Sequence, residues 1–453
     1  MTTRPLLTIV LAAGKGTRMK SAVPKVLHRV GGLSLLGHVL AAVRLLGSDR
    51  IAVVIGPDMD AVRAEAEERA PGVEVFIQEQ QLGTAHAVLA ARGAIARHDG
   101  DVLVVFADSP FIAPDTLGAL LGSLDAATPL AVLSFNATDP SGYGRLLCDT
   151  SGEVSAIREH KDASEEERTV TLCNSGVMAF RGERMLELLD AIRADNAQAE
   201  HYLTDAVAVA RSKGYRVAAR TCAEEEVLGI NSRSQLAAAE GLFQRRFRER
   251  VMAEGVTLIA PETVWFSHDT VIGRDVTIEP NVFFGPRVVV EDDVTIHANC
   301  HIEGARLQRG AEIGPFARLR PGADLGPRSK IGNFVEVKNV TIEAGAKANH
   351  LAYLGDGRVG AGANIGAGTI FCNYDGFFKH RTEVGEGAFI GSNTALVAPV
   401  RIGPGAYVGS GSVITKNVPA DALALERNEQ SVREGWAARF RTMMQRRKSE
   451  KRS

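Results

Sequence analysis

Residues 272–302 read IGRDVTIEPNVFFGPRVVVEDDVTIHANCHI, and an aliphatic or aromatic residue returns every six positions, at Ile272, Ile278, Phe284, Val290, Ile296 and Ile302. An α-helix repeats its faces every 3.6 residues and a strand every two, so neither produces a period of six. Hexads of this kind mark a parallel β-helix, in which each hexad supplies one short strand and a turn. Three hexads make a coil, and the inward aliphatics of successive coils stack into a continuous core. After a slip of one residue the register resumes at Leu307 and continues through Ile313, Leu319, Leu325, Ile331 and Val337. Further runs are Ile342, Ala348, Leu354, then Val359, Ile365, Phe371, then Val384, Ile390, Leu396, Ile402, Val408 and Ile414. The spacing of thirteen between Phe371 and Val384 predicts that roughly residues 372–383 loop out of the coil.

The grammar changes on either side of this repeat. Up to about residue 230, short apolar runs (Leu6 to Leu11, Ile51 to Ile55, Val73 to Ile77, Val102 to Phe106, Leu130 to Phe135) alternate with helix-like stretches such as Leu33 to Leu46 and Ala61 to Ala70. That alternation predicts an α/β domain with a parallel sheet, whose ligands sit at the carboxyl ends of the strands. A helix capped by Ser232 or Ser234, running through Leu236, Ala239, Phe243 and Phe247 to about Gly255, bridges the two parts. Its arginines, Arg245, Arg246, Arg248 and Arg250, read as a solvated face. Past Ile414 the repeat stops. Arg433 to Ser453 carries eight basic and two acidic residues, and its end is expected to be partly disordered. The expected divisions are 1–229, a helical linker 230–252, the repeat domain 253–420 and the tail 421–453.

Bulk composition excludes several function classes. A formal net charge of −2, with 45% hydrophobic and 23% charged residues, demands neither nucleic acid nor a membrane surface. Arg4 followed by Leu6 to Ala13 imitates a signal peptide, but Gly14, Lys15, Gly16, Arg18 and Lys20 favour a first core strand, and no apolar run approaches a membrane span. Cys148, Cys173, Cys222, Cys300 and Cys372 are scattered, odd in number and without metal-ligand spacing, as in a reduced, cytoplasmic protein.

Two strings carry chemistry. The first, Leu11-Ala12-Ala13-Gly14-Lys15-Gly16-Thr17-Arg18-Met19 with Pro24 and Lys25, follows the first strand at once. Its glycines let backbone amides approach a phosphate, and Lys15 and Arg18 add positive charge. A Walker A loop would need Gly where Ile9 stands, and a dinucleotide fingerprint would need Gly where Met19 stands. The second lies in the repeat, where Arg318, Arg320, Lys338, His350, Tyr353, Asn364, Asn373, Tyr374 and Lys379 fall within 62 residues otherwise rich in small side chains. Arginine and lysine bind phosphate as charged donors, and an imidazole titrates near neutrality, as a base for an attacking amine should. Each element has a plainer reading. Asp108 before Ser109-Pro110 is ordinary turn chemistry, Asn349-His350 can cap a turn, and a hexapeptide β-helix can be a passive scaffold.

The first string, with Gln78, Gln81-Leu82-Gly83-Thr84-Ala85, Asp108, Gly142-Tyr143-Gly144-Arg145, Glu159-His160-Lys161, Asn174-Ser175-Gly176 and Gly229-Ile230-Asn231, resembles the sugar-nucleotide pyrophosphorylases, in their N-acetylglucosamine-1-phosphate uridylyltransferase branch. The string 345–356, GAKANHLAYLGD, and the run from Asn364-Ile365-Gly366-Ala367-Gly368-Thr369 through Cys372-Asn373-Tyr374-Asp375-Gly376 resemble the glucosamine-1-phosphate acetyltransferase half of the same bifunctional family. The resemblance covers roughly residues 6–436. It implies a Rossmann-like α/β nucleotidyltransferase domain followed by a left-handed parallel β-helix of hexapeptide repeats, assembled as a homotrimer.

By the same resemblance, Leu11, Ala12, Ala13, Gly14, Gln78, Gly83 and Thr84 hold the uracil and ribose of UTP, and Arg18 and Lys25 hold its triphosphate. Phe106 and Ala107 adjoin the site, standing where the family often has Tyr-Gly, so any hydroxyl contact there is lost. Gly144, Glu159 and Asn174 bind the amino sugar, and Asp108 and Asn231 hold Mg²⁺. In the rear half His350 is the catalytic base. Arg320, Lys338, Tyr353, Asn364 and Lys379 take the sugar phosphate, and Ala367, Asn373, Tyr374, Ser392, Ser410 and Arg427 take acetyl-CoA. Position 410 is often Ala in the family, so Ser410 is expected to act through its backbone. The implied substrates are UTP, acetyl-CoA, glucosamine-1-phosphate and N-acetylglucosamine-1-phosphate. The main alternative keeps the front enzyme and makes the β-helix only a regulatory or trimerisation scaffold.

Overall fold

The structure, a computed structural model, describes residues 4–150 and 152–451. It divides into two compact units, residues 1–246 and 247–453. The division falls inside one continuous helix, Arg233–Ala253, which matches the helix expected between the domains.

The first unit is built on a mixed sheet. Its main strands are β1 (Leu6–Leu11), β2 (Arg50–Ile55), β3 (Glu74–Ile77), β4 (Asp101–Phe106), β5 (Leu130–Asn136), β6 (Leu172–Arg181) and β7 (Val217–Cys222), in the spatial order β7-β5-β6-β4-β1-β2-β3. All pair in parallel except β6, which runs antiparallel to both β4 and β5. The central strands are apolar on both faces because helices cover both. Val10, Val53, Leu103 and Leu133 pack into one core with Leu36, Val39 and Leu40. Leu7, Ile9, Val54, Val104 and Val132 face a second core holding Val88, Met185 and Val207. This layering explains why these strands read as unbroken apolar runs.

In the second unit the hexads become two- to seven-residue parallel strands stacked on three faces. Pairing joins equivalent residues of successive coils, as in Thr277↔Thr295, Ile278↔Ile296 and His301↔Arg318. From Ile278 to Ile414 the six-spaced residues named above are buried, so the period of the sequence is the period of the core. Residues 373–381 connect the strands Ile370–Cys372 and Thr382–Val384, where the spacing of thirteen predicted a loop. Within the tail, Trp436–Glu450 forms an α-helix, exposed along its whole length. Ala, Arg, Met and Gln favour helix intrinsically, and here that local preference prevails without tertiary packing. Residues 452 and 453 lie outside the described residues.

Candidate functional site

Four neighbouring parallel strands, β4, β1, β2 and β3, end at one place. Leu11 closes β1 opposite Phe106 of β4, and the Gln78 amide, next after β3, donates to the Ile55 carbonyl at 2.8 Å. The cavity there, 310 Å³, is lined by Leu11, Ala12, Ala13, Gly14, Lys25, Gln78, Gly83, Thr84, Phe106 and Asp108, ten of the residues singled out from the sequence. Gly83 is required by its backbone. Its φ is +113°, and a Cβ would lie 2.4 Å from the His201 carbonyl oxygen. Gln78 donates to the Gly83 carbonyl at 3.2 Å. Ala107 is buried behind the cavity. Four further lining residues, Val26, Gln81, Ala87 and Glu200, had no role assigned from the sequence. Gln81 braces the first turn by donating to the Ala13 carbonyl at 2.7 Å. It lay within a quoted motif, whereas Glu200 sits in a segment with no readable signal.

Lys25 is the centre of this site. Its ammonium lies 2.5 Å from Asp108 Oδ2 and 2.9 Å from Asn231 Oδ1. The Ile230 amide donates to the Asp108 carbonyl at 2.9 Å, which holds the Asn231 segment against the end of β4. A carboxylate and a carboxamide oxygen therefore converge on one cation, the donor set that suits a hard divalent ion. Among the described residues no group of three or more His, Cys, Asp or Glu side chains could hold a metal by itself. Arg18, on the turn Thr17–Met19, is exposed and does not line the cavity.

The three residues expected to bind the sugar gather beside this cavity. Asn174 donates its amide to the Gly144 carbonyl at 2.8 Å, and the space beside Gly144 opens onto both Glu159 oxygens. Burial raises the Glu159 carboxyl above its ordinary value, against a 3.0 Å hydrogen bond from Thr204. Strand β6 bulges between Asn174 and Met178, and a Cβ on Gly176 within the bulge would strike the Phe106 ring at 2.7 Å.

On the β-helix, Arg320, Lys338 and Lys379 form a cluster of like charge. Lys379 beside it, then burial and the Arg320 charge, push the Lys338 ammonium below its ordinary value, while Asp356 opposes them. Asp356 is pinned by Asn339 at 2.7 Å and Asn373 at 2.5 Å. Tyr353 faces the same place, since its hydroxyl and the Asn373 amide border the space beside Gly355. Tyr374 and Lys379 form a bridge at the base of the extruded loop. His350, exposed, places Nδ1 2.5 Å from Asn333 Oδ1. Asn333 pairs with His350 from the preceding coil, a partner visible in the sequence only once the coil length is known.

Other expected residues sit on different faces. Asn364 pairs with Lys347 and Phe389, on a different face from Arg320, Lys338 and Tyr353. Ala367, Ser392, Ser410 and Arg427 follow one another along the coils. The Asn393 amide donates to the Ala367 carbonyl at 2.7 Å, the Ser392 amide to Ser410 Oγ at 3.2 Å, and Arg427 to the Ser410 carbonyl at 2.8 Å. Both the hydroxyl and the carbonyl of Ser410 accept hydrogen bonds from within the chain.

Comparison with known proteins agrees with this two-part layout. Residues 8–225 match the MobA-like NTP transferase domain family, and residues 269–304 and 381–416 match the bacterial transferase hexapeptide family. The Bifunctional protein GlmU of Azorhizobium caulinodans is 58% identical over 442 residues, covering 97% of this chain and 98% of that protein. The chain belongs to the bifunctional GlmU family. Its GlmU relatives in Xanthobacter autotrophicus and a Bradyrhizobium species are 56% and 57% identical, again covering 97% of this chain and 98% of theirs. GlmU relatives thus match both units together, and no helix among the described residues is long and apolar enough to cross a membrane.

Proposed function

We propose that the protein makes UDP-N-acetylglucosamine in two reactions, acetylation on the β-helix and uridylyl transfer on the front unit. As a member of its family it is both an acetyltransferase and a uridylyltransferase, and its product feeds peptidoglycan and lipopolysaccharide synthesis. The single observation that carries the acetyltransferase half is the Arg320, Lys338 and Lys379 cluster, with the exposed His350 on the coil that follows Lys338. Glu336, 2.8 Å from Arg320, and Asp356 offset only part of the charge of these three cations, and a sugar phosphate would supply the rest.

In the rear reaction, Asn333 accepts a hydrogen bond from His350 Nδ1–H, which leaves Nε2 free as the base. The amine of glucosamine-1-phosphate attacks the carbonyl carbon of acetyl-CoA and gives its proton to that nitrogen. The C–N bond forms as the C–S bond breaks, and coenzyme A leaves. Arg320, Lys338, Tyr353, Asn364 and Lys379 hold the sugar phosphate. Ala367, Asn373, Tyr374, Ser392, Ser410 and Arg427 hold acetyl-CoA.

In the front reaction a phosphate oxygen of N-acetylglucosamine-1-phosphate attacks the α-phosphorus of UTP, and pyrophosphate leaves with the broken P–O pair. Leu11 to Gly14, Gln78, Gly83 and Thr84 orient the nucleoside, while Gly144, Glu159 and Asn174 orient the sugar. Lys25 and Arg18 meet the charge that builds on the phosphates. Asp108 and Asn231 would hold Mg²⁺, which, when bound, neutralises phosphate charge. Lys25 already stands between these two oxygens, so it can exchange from the carboxylate to a phosphate as substrate arrives.

We read the protein as a cytoplasmic homotrimer joined through its β-helix. Assaying purified protein for both half-reactions tests the whole reading. Both products are expected. Uridylyl transfer without acetylation would reduce the β-helix to a scaffold.

A further inference from the structure

The start of the long helix holds more than Asn231. Ser232 and Gln235 form a reciprocal cap there. The Gln235 amide donates to Ser232 Oγ at 3.3 Å, and Gln235 Oε1 accepts the Asn231 amide at 2.8 Å. This arrangement fixes the direction in which Asn231 leaves the helix. The first helical residue, Arg233, then reaches back across more than 200 positions of chain. Its Nε donates to the Met19 carbonyl at 3.3 Å, and its Nη1 to His28 Nδ1 at 3.3 Å. Met19 ends the turn that carries Arg18, and His28 closes the turn that begins at Lys25, where its amide donates to the Lys25 carbonyl at 3.2 Å. One guanidinium therefore ties both cationic turns to the segment that carries Asn231.

The two turns are already in contact. Gly16 has a φ of +61°, and a Cβ there would lie 2.5 Å from Lys25 Cβ. Lys25 itself reaches Asn231, but through the ammonium a phosphate would claim, whereas Arg233 ties the segments together without that group. His28 suits the acceptor role. It is buried, and burial followed by the Arg233 charge lowers its pKa, so the ring stays neutral with Nδ1 free to accept.

We propose that Arg233 is a positioning residue for nucleotidyl transfer, a latch that sets Arg18 and Lys25 against Asp108 and Asn231. It rests on the reading of the front site as the uridylyltransferase. The latch touches no substrate in this role and acts through the turns it holds. It need not contribute to acetylation, which uses residues of the other unit.

The test uses full-length Arg233→Met, which keeps the aliphatic bulk and removes every donor, together with Arg233→Lys and Arg233→Ala. Expected for Arg233→Met is a fall in kcat for UDP-N-acetylglucosamine formation of roughly 10- to 100-fold, the scale of a catalytic group misplaced by about an ångström. KM for N-acetylglucosamine-1-phosphate, the thermal unfolding midpoint and acetylation should stay at wild-type values. Arg233→Lys, with donors but no fork, should recover part of the rate, and added guanidinium should partly restore Arg233→Ala. A purely structural arginine would show neither recovery. Wild-type kcat in Arg233→Met, or a loss shared equally with acetylation, would overturn the latch alone. A wild-type protein unable to use UTP would overturn the reading of the front site and the latch with it.

Discussion

His350 is exposed and makes its one side-chain hydrogen bond to Asn333, so replacing it disturbs no buried group. His350→Ala should lower acetylation by roughly 10²–10⁴-fold, the contribution of a general base. Uridylyl transfer from supplied N-acetylglucosamine-1-phosphate should be unchanged. Steady-state rates of both reactions decide this, and comparable loss of both would make His350 a folding residue. Asp108 is the mirror case. Asp108→Asn keeps the shape and the oxygen that faces Lys25 while removing the charge. We expect the Mg²⁺-dependent release of pyrophosphate to disappear while acetylation continues. A variant whose rate rises with Mg²⁺ as the wild type's does would remove Asp108 from the metal site.

Elements whose two faces share one fate were legible in advance, and those with mixed surroundings were not. The central strands lie between two apolar layers and the hexads around one core, so each left an unbroken periodic signal. Strand Leu172–Arg181 was unreadable because Asn174, Ser175 and Gly176 interrupt it where it bulges against Phe106. Asn333 was missed for another reason: its partner lies seventeen residues on, and only coil register joins them. The same register builds a charged ladder elsewhere on the β-helix. His297 Nδ1 lies 3.0 Å from Glu279 and its Nε2 3.2 Å from Glu312, which also takes Lys330 at 2.7 Å. Burial lowers the His297 pKa, but the two carboxylates prevail and raise it above 6.5. A raised histidine stabilises the fold fully below its unfolded value, and this stability is lost as pH rises through the folded value. The thermal midpoint of the β-helix unit should therefore drop as pH rises above about 6.5. His297→Gln should flatten that slope in calorimetry. An unchanged slope would mean the ladder carries no proton-linked stability.

At the scale of the whole molecule, one chain does not bring together all the residues proposed for the acetyl acceptor. Arg320, Lys338, Tyr353 and Lys379 meet near the extruded loop, whereas Asn364 lies on another face of the β-helix and Arg427 follows the last coils. A prism with three faces closes naturally into a ring of three, in which one copy's face meets a different face of the next. Such packing can bring Asn364 and the 427 region of one copy to the cation cluster of its neighbour. The front unit differs, because its sheet, its cavity and both oxygens around Lys25 all lie before residue 232. We therefore expect full-length protein to be a trimer by light scattering and to catalyse both reactions. A fragment ending near Arg250 should be monomeric, unable to acetylate, and still able to make UDP-N-acetylglucosamine from the acetylated sugar phosphate. Mixing inactive chains sharpens the test: Lys338→Ala and Asn364→Ala, each defective alone, should recover part of the acetylation when refolded together, because some interfaces then carry both intact residues. A full-length monomer that acetylates normally would overturn the shared site, and a trimeric front fragment would put the assembly surface in the wrong half.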